Sequence, residues 1–347
     1  MTTPTIKEVR SKYYNYNFNI KTGFFARWGE TYKDDPDFSP IGPEIADIEI
    51  STICSGPFGK RCAFCYKNDT SLVEKNMSLK TFKKVFNNIN VQKNLCQVAL
   101  GIGDVDGNPD LIPIMRFIRE NNVVPNITVN GAKLDEIFED KTYAKHFSEL
   151  CGAISVSNYN DELCFNAVKK LTDLGMEQVN IHQIVASQTI DDCIKLLDKV
   201  KEDDRLSKLN AVVFLSYKNK TDYKGLTPLL FFYKYEQMIN KALDNKVSIG
   251  FDSCGANKFI DYLSDKPHLR GLEMFAEPCE SGLFSVYINV DGHFFPCSFS
   301  EGKGNWKNGI DVVNTENFIQ DIWFGDKVKE WRNTLISNKR NCPMYKI

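Results

Sequence analysis

Between about residues 46 and 250, the chain alternates short β-rich runs with amphipathic helical patterns. The β-rich runs predict strands at Asp47–Thr52, Gln97–Ile102, Asn126–Asn130, Ala153–Ser157, Gln178–Val185 and Leu209–Tyr217. The helical patterns between and after them cover Leu79–Ile89, Asp110–Asn121, Asp161–Leu174, Thr189–Glu202 and Pro228–Asp244. Strand–helix units in series predict an α/β fold with a parallel sheet and right-handed crossovers, either a partial barrel or a doubly wound sheet.

Polar side chains stand at or just past the predicted strand ends, namely Asp104, Asn130, Ser157 and Gln183. In parallel α/β sheets, ligands gather at the carboxyl ends of the strands, so we expect these residues to line one functional edge. Gln183 follows His182 in the fifth strand, and alternation allows only one of the two to point inward.

Three cysteines, Cys54, Cys62 and Cys65, follow the first predicted strand, with seven and then two residues between them. The chain has 11 cysteines, and the odd count together with the lack of a secretory pattern disfavours a disulfide framework. Three thiolates on one loop can hold three irons of a [4Fe–4S] cluster and leave the fourth iron open for chemistry. The alternative is a zinc knuckle that uses Cys62 and Cys65 with distant partners.

This loop resembles the cluster loop of the radical S-adenosylmethionine enzymes, whose usual spacing is Cys-x3-Cys-x2-Cys. The pair Cys62–Cys65 and the aromatic Phe64 match, whereas the first gap is four residues longer. The resemblance covers about residues 46–250 and implies a partial (β/α)6 barrel similar to a TIM barrel. It also implies a [4Fe–4S] cluster on Cys54, Cys62 and Cys65 that binds S-adenosylmethionine, with Phe64 near the adenine.

Downstream segments resemble the cofactor contacts of the same family, in the same order. Leu100-Gly101-Ile102-Gly103-Asp104 resembles the Gly-Gly-Glu motif that binds the methionine amino group, with one inserted residue and Asp in place of Glu. Ile127–Gly131 resembles the third strand, and Ser155 and Ser157 resemble the serine that contacts the ribose. The resemblance therefore implies cofactor contacts at Gly101, Gly103, Asp104, Asn130, Ser155, Ser157 and Gln183.

The last hundred residues contain a second set of cysteines. Twelve residues separate Cys279 from Gly292, and four more precede Cys297, which resembles the opening of the cluster-binding SPASM and twitch domains. Cys342 follows without the compact run of cysteines that longer SPASM domains have, which favours the twitch type with one auxiliary [4Fe–4S] cluster. Its expected ligands are Cys254, Cys279, Cys297 and Cys342, and the alternative is structural zinc. Cys96, Cys151, Cys164 and Cys193 lie in apolar contexts and are expected in the core.

We therefore expect three parts: an aromatic N-terminal extension (1–45) that is a candidate lid, a barrel (46–250) and a small α+β auxiliary-cluster domain (251–347). The net charge of −2 provides no basic field for bulk nucleic-acid binding. No signal-peptide pattern and no apolar run long enough for a bilayer appear, so a cytoplasmic location is expected.

The resemblance implies reductive cleavage of S-adenosylmethionine to a 5′-deoxyadenosyl radical, which abstracts a substrate hydrogen. The leading substrate class is a peptide or protein that is crosslinked, epimerised or oxidised. The alternatives are radical chemistry on a sugar, nucleoside or amino acid, and a non-catalytic iron–sulfur or zinc protein. An electron donor such as flavodoxin or ferredoxin is the implied partner. No residue stands out as the donor of the final hydrogen.

Overall fold

The structure is a computed structural model that describes residues 5–68 and 73–347. The first four residues of the predicted extension lie outside the described residues, and every candidate site residue lies inside them. The described strands are β1 Ile6–Val9, β2 Asn15–Asn19, β3 Phe25–Trp28, β4 Ile45–Glu49, β5 Gln97–Gly101, β6 Val124–Val129, β7 Ile154–Ser157, β8 Val179–Val185, β9 Ala211–Ser216, β10 Ile249–Phe251, β11 Ser285–Ile288, β12 His293–Phe295 and β13 Ile310–Asp311.

The helices are α1 Leu79–Ile89, α2 Leu111–Glu120, α3 Leu134–Ile137, α4 Lys141–Leu150, α5 Asp161–Asp173, α6 Ile190–Glu202, α7 Phe232–Asn245, α8 Ala256–Leu263 and α9 Asp326–Ser337. Short 3₁₀ turns lie at Asp204–Leu206, Pro267–Phe275 and Gly304–Trp306, and a π turn at Ile319–Trp323. Gly325 separates the π turn from α9 and is the N-cap residue of that helix. Among the described helices, none is long and apolar enough to cross a bilayer.

The main sheet has ten strands in the order β10-β9-β8-β7-β6-β5-β4-β11-β12-β13. The strands from β4 to β10 are all parallel, and β11 adds in parallel to the outer edge of β4. β12 and β13 then continue antiparallel. This confirms the expected α/β fold with a partial barrel. It also shows one sheet running from the barrel strands into the C-terminal segment.

One face of each parallel strand packs under the helices. On β8 the buried residues Val179, Ile181 and Val185 alternate with partly accessible ones, and β8 packs against α5 and α6. Because side chains alternate along a strand, the intervening residues point into the interior of the curved sheet. The inner face of every strand is therefore defined by its register.

The N-terminal extension forms a three-stranded antiparallel sheet, β1-β2-β3. The Tyr16 hydroxyl donates a 2.8 Å hydrogen bond to the carbonyl of Asn94, and Lys7 bonds the carbonyl of Leu95, both just before β5. Gln178, just before β8, donates to Lys21. All three barrel residues precede their strands, so the extension covers the amino ends of the barrel. This differs from the expected lid, because the cysteine loop lies at the opposite, carboxyl end.

Candidate functional site

The cysteine loop leaves the carboxyl end of β4, and its long first gap forms a tight turn. Gly56 has φ +73°, and a side chain there would meet the carbonyl oxygen of Lys60 at 1.8 Å. Gly59 has the same φ with open space around it. Glycine adopts this left-handed conformation without steric cost. The gap is therefore accommodated by a glycine-dependent turn that brings Cys62 and Cys65 back toward Cys54.

The second strand end supports this loop. A side chain at Gly103 would lie 2.3 Å from Cβ and 2.8 Å from Sγ of Cys54, so the absence of a side chain makes room for the thiol. Asp104 accepts hydrogen bonds from the Ser55 amide at 2.7 Å, the Ser55 hydroxyl at 2.6 Å and Asn130 Nδ2 at 3.0 Å. Burial favours a raised pKa for Asp104, but these hydrogen bonds lower its pKa below the ordinary value.

These contacts give Gly103, Asp104 and Asn130 a positioning role that the sequence did not predict. Both carboxylate oxygens of Asp104 are engaged by the protein, and its side chain is 1 % exposed. An ammonium group would have to displace one of these bonds, so the geometry does not favour the expected contact between Asp104 and the methionine amino group.

The three thiols are partly accessible, and they are near enough for the charge of one to affect the pKa of another. Burial and, to a smaller extent, the neighbouring Cys65 and Cys54 together raise the pKa of Cys62 to about 11. Burial likewise raises the pKa of Cys54 and Cys65. Binding of a metal displaces these protons and lets the thiols act as thiolates.

The donor set is made of cysteine thiols, the ligands that iron–sulfur clusters use. Among the residues that the structure describes, no three His, Cys, Asp or Glu side chains converge tightly enough to hold one metal ion. A tetrahedral zinc needs its sulfur ligands at about 2.3 Å, whereas a four-iron cluster occupies a larger space between its thiolates.

Lys67, two residues after Cys65, ties the loop to the barrel and to the C-terminal segment. Its ammonium lies 2.9 Å from Glu49 Oε1 on β4, donates a 2.9 Å hydrogen bond to the Tyr287 hydroxyl on β11, and pairs with Glu301. Asn289 donates a further 3.0 Å bond to Glu301. The lysine side chain is 11 % exposed, so this is a buried, fully paired network.

Phe64 faces an aromatic group at the mouth of the barrel. Its ring centroid lies 5.7 Å from that of Tyr159 and 6.3 Å from that of Tyr223. Tyr159 in turn interacts with Ser157, at the end of β7, and with Cys62. Ser155 lies on the same face of β7, one alternation deeper. The structure therefore places Ser157 near Phe64 of the cysteine loop, with Ser155 two residues earlier on the same face of β7.

The structure places His182, and not Gln183, on the inner face of β8. Gln183 shares the buried outer face with Val179, Ile181 and Val185, and its Oε1 accepts a 3.0 Å hydrogen bond from Asn158. The side chain of Gln183 therefore lies on the face of β8 opposite to the interior in which its contact with a cofactor is predicted. Burial lowers the pKa of His182 to about 4, against a weaker opposing effect of Asp252, so its imidazole is neutral at pH 7.

The four cysteines of the expected auxiliary site interact electrostatically. Cys254 follows β10, and its pKa, raised mainly by burial, is also raised by Cys279, which precedes β11, and by Cys297, which follows β12. Cys297 likewise interacts with both Cys279 and Cys342, and burial raises its pKa to about 12. The remaining cysteines, Cys96, Cys151, Cys164 and Cys193, are buried as expected.

An aromatic stack joins the two cysteine sites. Tyr66, next to Cys65, stacks on Phe299, two residues after Cys297, with centroids 4.6 Å apart. Lys218 lies 4.6 Å from the Phe299 centroid and 2.7 Å from Asp252 Oδ2, and it also interacts with Cys254. Lys220 lies 5.7 Å from the Tyr66 centroid. Sequence reasoning missed these four residues. Tyr66 and Phe299 lie within two positions of a cysteine, whereas Lys218 and Lys220 are far from any cysteine in the sequence.

Comparisons with known proteins agree with this arrangement. Residues 279–344 match the family model SPASM, described as an iron–sulfur cluster-binding domain. This match includes Cys279, Cys297 and Cys342. No sequence among the curated proteins matches the chain.

Solved structures share the fold along most of the chain. SuiB from Streptococcus suis, bound to its precursor peptide SuiA, superposes with a TM-score of 0.68 at 13 % identity, covering 94 % of this chain and 89 % of that chain. SuiB bound to S-adenosylmethionine gives 0.64 at 12 % identity, covering 94 % and 88 %. The protein anSMEcpe with bound AdoMet gives 0.57 at 15 % identity, covering 83 % and 82 %. At these identities the likeness establishes a common fold.

Proposed function

We propose that this chain, which has the fold of the radical S-adenosylmethionine enzymes and a C-terminal SPASM segment, cleaves S-adenosylmethionine reductively and abstracts a hydrogen atom from a substrate. The observation that carries the proposal is the group of three thiols at the carboxyl end of β4. They lie on one loop, are partly accessible, and are held by residues from two neighbouring strand ends.

Cys54, Cys62 and Cys65 would hold a [4Fe–4S] cluster, which supplies the electron that breaks the sulfonium bond of bound S-adenosylmethionine. The chain's own residues orient the loop and limit access to it. Gly103 and Asp104 position the Cys54 side of the loop, and Lys67 holds the Cys65 side. The aromatic group around Phe64 restricts water at the mouth. Cys254, Cys279, Cys297 and Cys342 would hold one auxiliary cluster.

Anaerobic reconstitution with iron and sulfide tests this function. With dithionite in place of a protein donor such as flavodoxin or ferredoxin, the wild type is expected to form 5′-deoxyadenosine from S-adenosylmethionine. The triple variant Cys54→Ala/Cys62→Ala/Cys65→Ala should form none and retain the iron of one cluster. Cys164→Ala, which removes a buried cysteine outside both sites, is the matched control and should retain both clusters. Zinc without iron in the wild type would contradict the proposal.

We further propose that the substrate is a peptide or protein. The support is the shared fold with SuiB, whose structure holds its precursor peptide. The test offers uniformly deuterated peptides encoded next to the gene and measures deuterium in 5′-deoxyadenosine by mass spectrometry. Transfer from a peptide supports the proposal. Transfer only from a deuterated sugar, nucleoside or free amino acid would replace it with small-molecule chemistry.

A further inference from the structure

We infer that Asp47 binds a cationic group of the substrate inside the barrel. This rests on the proposed function, because the cation would belong to the molecule from which hydrogen is taken. Asp47 lies in the middle of β4, where it is in register with Ala99 on β5 and Tyr287 on β11. Ala46 and Ile48, its neighbours in sequence, are fully buried in the core on the other face. Alternation therefore points the Asp47 carboxylate into the interior.

Asp47 differs from the other enclosed carboxylates of this region. Across the residues that the structure describes, it accepts no hydrogen bond and forms no ion pair, and burial is the only cause that raises its pKa, to about 6. The other enclosed carboxylates are all paired with the protein: Glu49 with Lys67 and the Val290 amide, Asp104 with Ser55 and Asn130, Asp252 with Lys218 and the Ser216 and Gly255 amides, and Glu301 with Lys67 and Asn289.

The space beside Asp47 is open. Asp47 is solvent-exposed although it lies on the interior face of β4, so its carboxylate borders open space inside the curved sheet. The in-register neighbour Ala99 has only a methyl group and contributes no polar atom. Water is therefore the donor to this carboxylate, and a ligand can replace that water with N–H donors of its own. The open volume allows a ligand to do so.

The charge around Asp47 identifies the kind of ligand. Glu49 and Glu301 both pair with the ammonium of Lys67, which forms no ion pair with Asp47. Across the interior, His182 on β8 has a neutral imidazole that can hydrogen-bond without repelling a cation. An ammonium or guanidinium provides both the charge and the N–H donors that Asp47 lacks.

The test measures binding to the reconstituted protein with S-adenosylmethionine present. The probes are Nα-acetyl-lysinamide, which represents a peptide side chain, cadaverine as a free amine, and neutral Nα-acetyl-norleucinamide. We expect the lysine probe to bind the wild type about tenfold more tightly than the norleucine probe. Asp47→Asn should bring that ratio close to one. The exposed Asp135→Asn, whose carboxylate only pairs with Lys170, should keep the wild-type ratio.

The outcomes separate this inference from the proposed function. An equal affinity of the wild type for both amides, no binding of either cation, or an unchanged preference in Asp47→Asn would overturn the cation site. Preference for cadaverine over the amide keeps the site and assigns it to a free amine. Formation of 5′-deoxyadenosine, measured on the same preparations, reports separately on the cleavage of S-adenosylmethionine.

Discussion

Lys67 is a single residue on which three parts of the molecule depend. Its ammonium neutralises Glu49 of the barrel and Glu301 of the C-terminal segment, and it lies two positions from Cys65. Removal of one partner from a buried charge network leaves the others uncompensated. The residue therefore couples the stability of the fold to the position of the cysteine loop.

We expect Lys67→Met to lower the free energy of unfolding by about 3 kcal/mol and to reduce iron at the first site. Thermal unfolding and iron analysis of the reconstituted protein measure the two effects. Lys60→Met, on an exposed part of the same loop, should change neither. Adding Glu301→Gln should restore part of the lost stability, because one of the two unpaired carboxylates is removed. A Lys67→Met protein with wild-type stability and iron would show that the network has no such role.

For Asp47 we expect the opposite effect on stability, because removal of its charge should stabilise the folded protein. Burial raises the folded-state pKa of Asp47 from 3.8 to about 6, so the folded protein holds this proton more tightly than the unfolded chain. The resulting stabilisation is complete below the unfolded pKa and is lost as the pH rises through about 6. A shift of this size corresponds to about 3 kcal/mol, which water in the interior reduces to about 1 kcal/mol.

Asp47→Asn removes this titration, so we expect the variant to be more stable than the wild type above pH 6 by about 1 kcal/mol. Below pH 4 the two proteins should be equal. Chemical denaturation at several pH values measures the difference. A variant less stable than the wild type at pH 8 would indicate that the carboxylate supports the fold and has unseen partners. A stabilised variant that no longer binds a cation is the signature of a functional group.

At the scale of elements, the position of the cysteine loop depends on its contact with Gly103, which follows the end of β5. Gly103→Ala would place a methyl group 2.3 Å from Cβ of Cys54, so either the turn or the cysteine must move. We expect loss of iron at the first site with little change in circular dichroism. Gly271→Ala, which meets no atom within 4 Å, is the matched control. Full iron in Gly103→Ala would show that the loop adapts.

The sequence predicts well the strands and helices whose residues form a recognisable local pattern. The β-rich runs mark β4 to β9, with ends within three residues of those observed, and Leu79–Ile89 agrees at both ends. The alternation of apolar and polar residues in Ile45–Ile50 already carries Asp47 and Glu49 on one face. The cysteines were recognisable by spacing. Lys67, Tyr66 and Phe299 act through contacts between residues about 230 positions apart, which no local pattern encodes.

The N-terminal sheet and β11 show that the sequence does not determine where an element packs or which strand it pairs with. The aromatic residues of the extension predict a packed segment, but only tertiary contacts place it under the amino ends of the barrel. Similarly, the parallel pairing of β11 with β4 joins residues 240 positions apart, as Ser285 and Ile45. Pairing partners are set by the whole fold, so strand patterns alone do not determine them.

On the scale of the whole molecule, the sheet is continuous from β10 to β13, so the SPASM segment is part of the barrel wall. We expect a chain that ends at residue 278 to be insoluble, because β4 would present an unpaired edge. Solubility and circular dichroism measure this. Cys279→Ala/Cys297→Ala in the full chain keeps the strands and should stay soluble, which separates the loss of strands from the loss of ligands. A soluble, helical truncated protein would show that residues 1–278 fold alone.

The electrostatic interaction of Cys254 with the C-terminal cysteines has a consequence for the protein in air. Cys254 follows β10, the strand at one end of the sheet, whereas Cys279 precedes β11 and Cys297 follows β12, nearer the other end. A cluster held by these cysteines would cross-link the two parts of the sheet, so oxygen damage to it would remove a structural link together with a redox centre. We expect proteolysis near residue 254 in air-exposed samples and none in anaerobic samples.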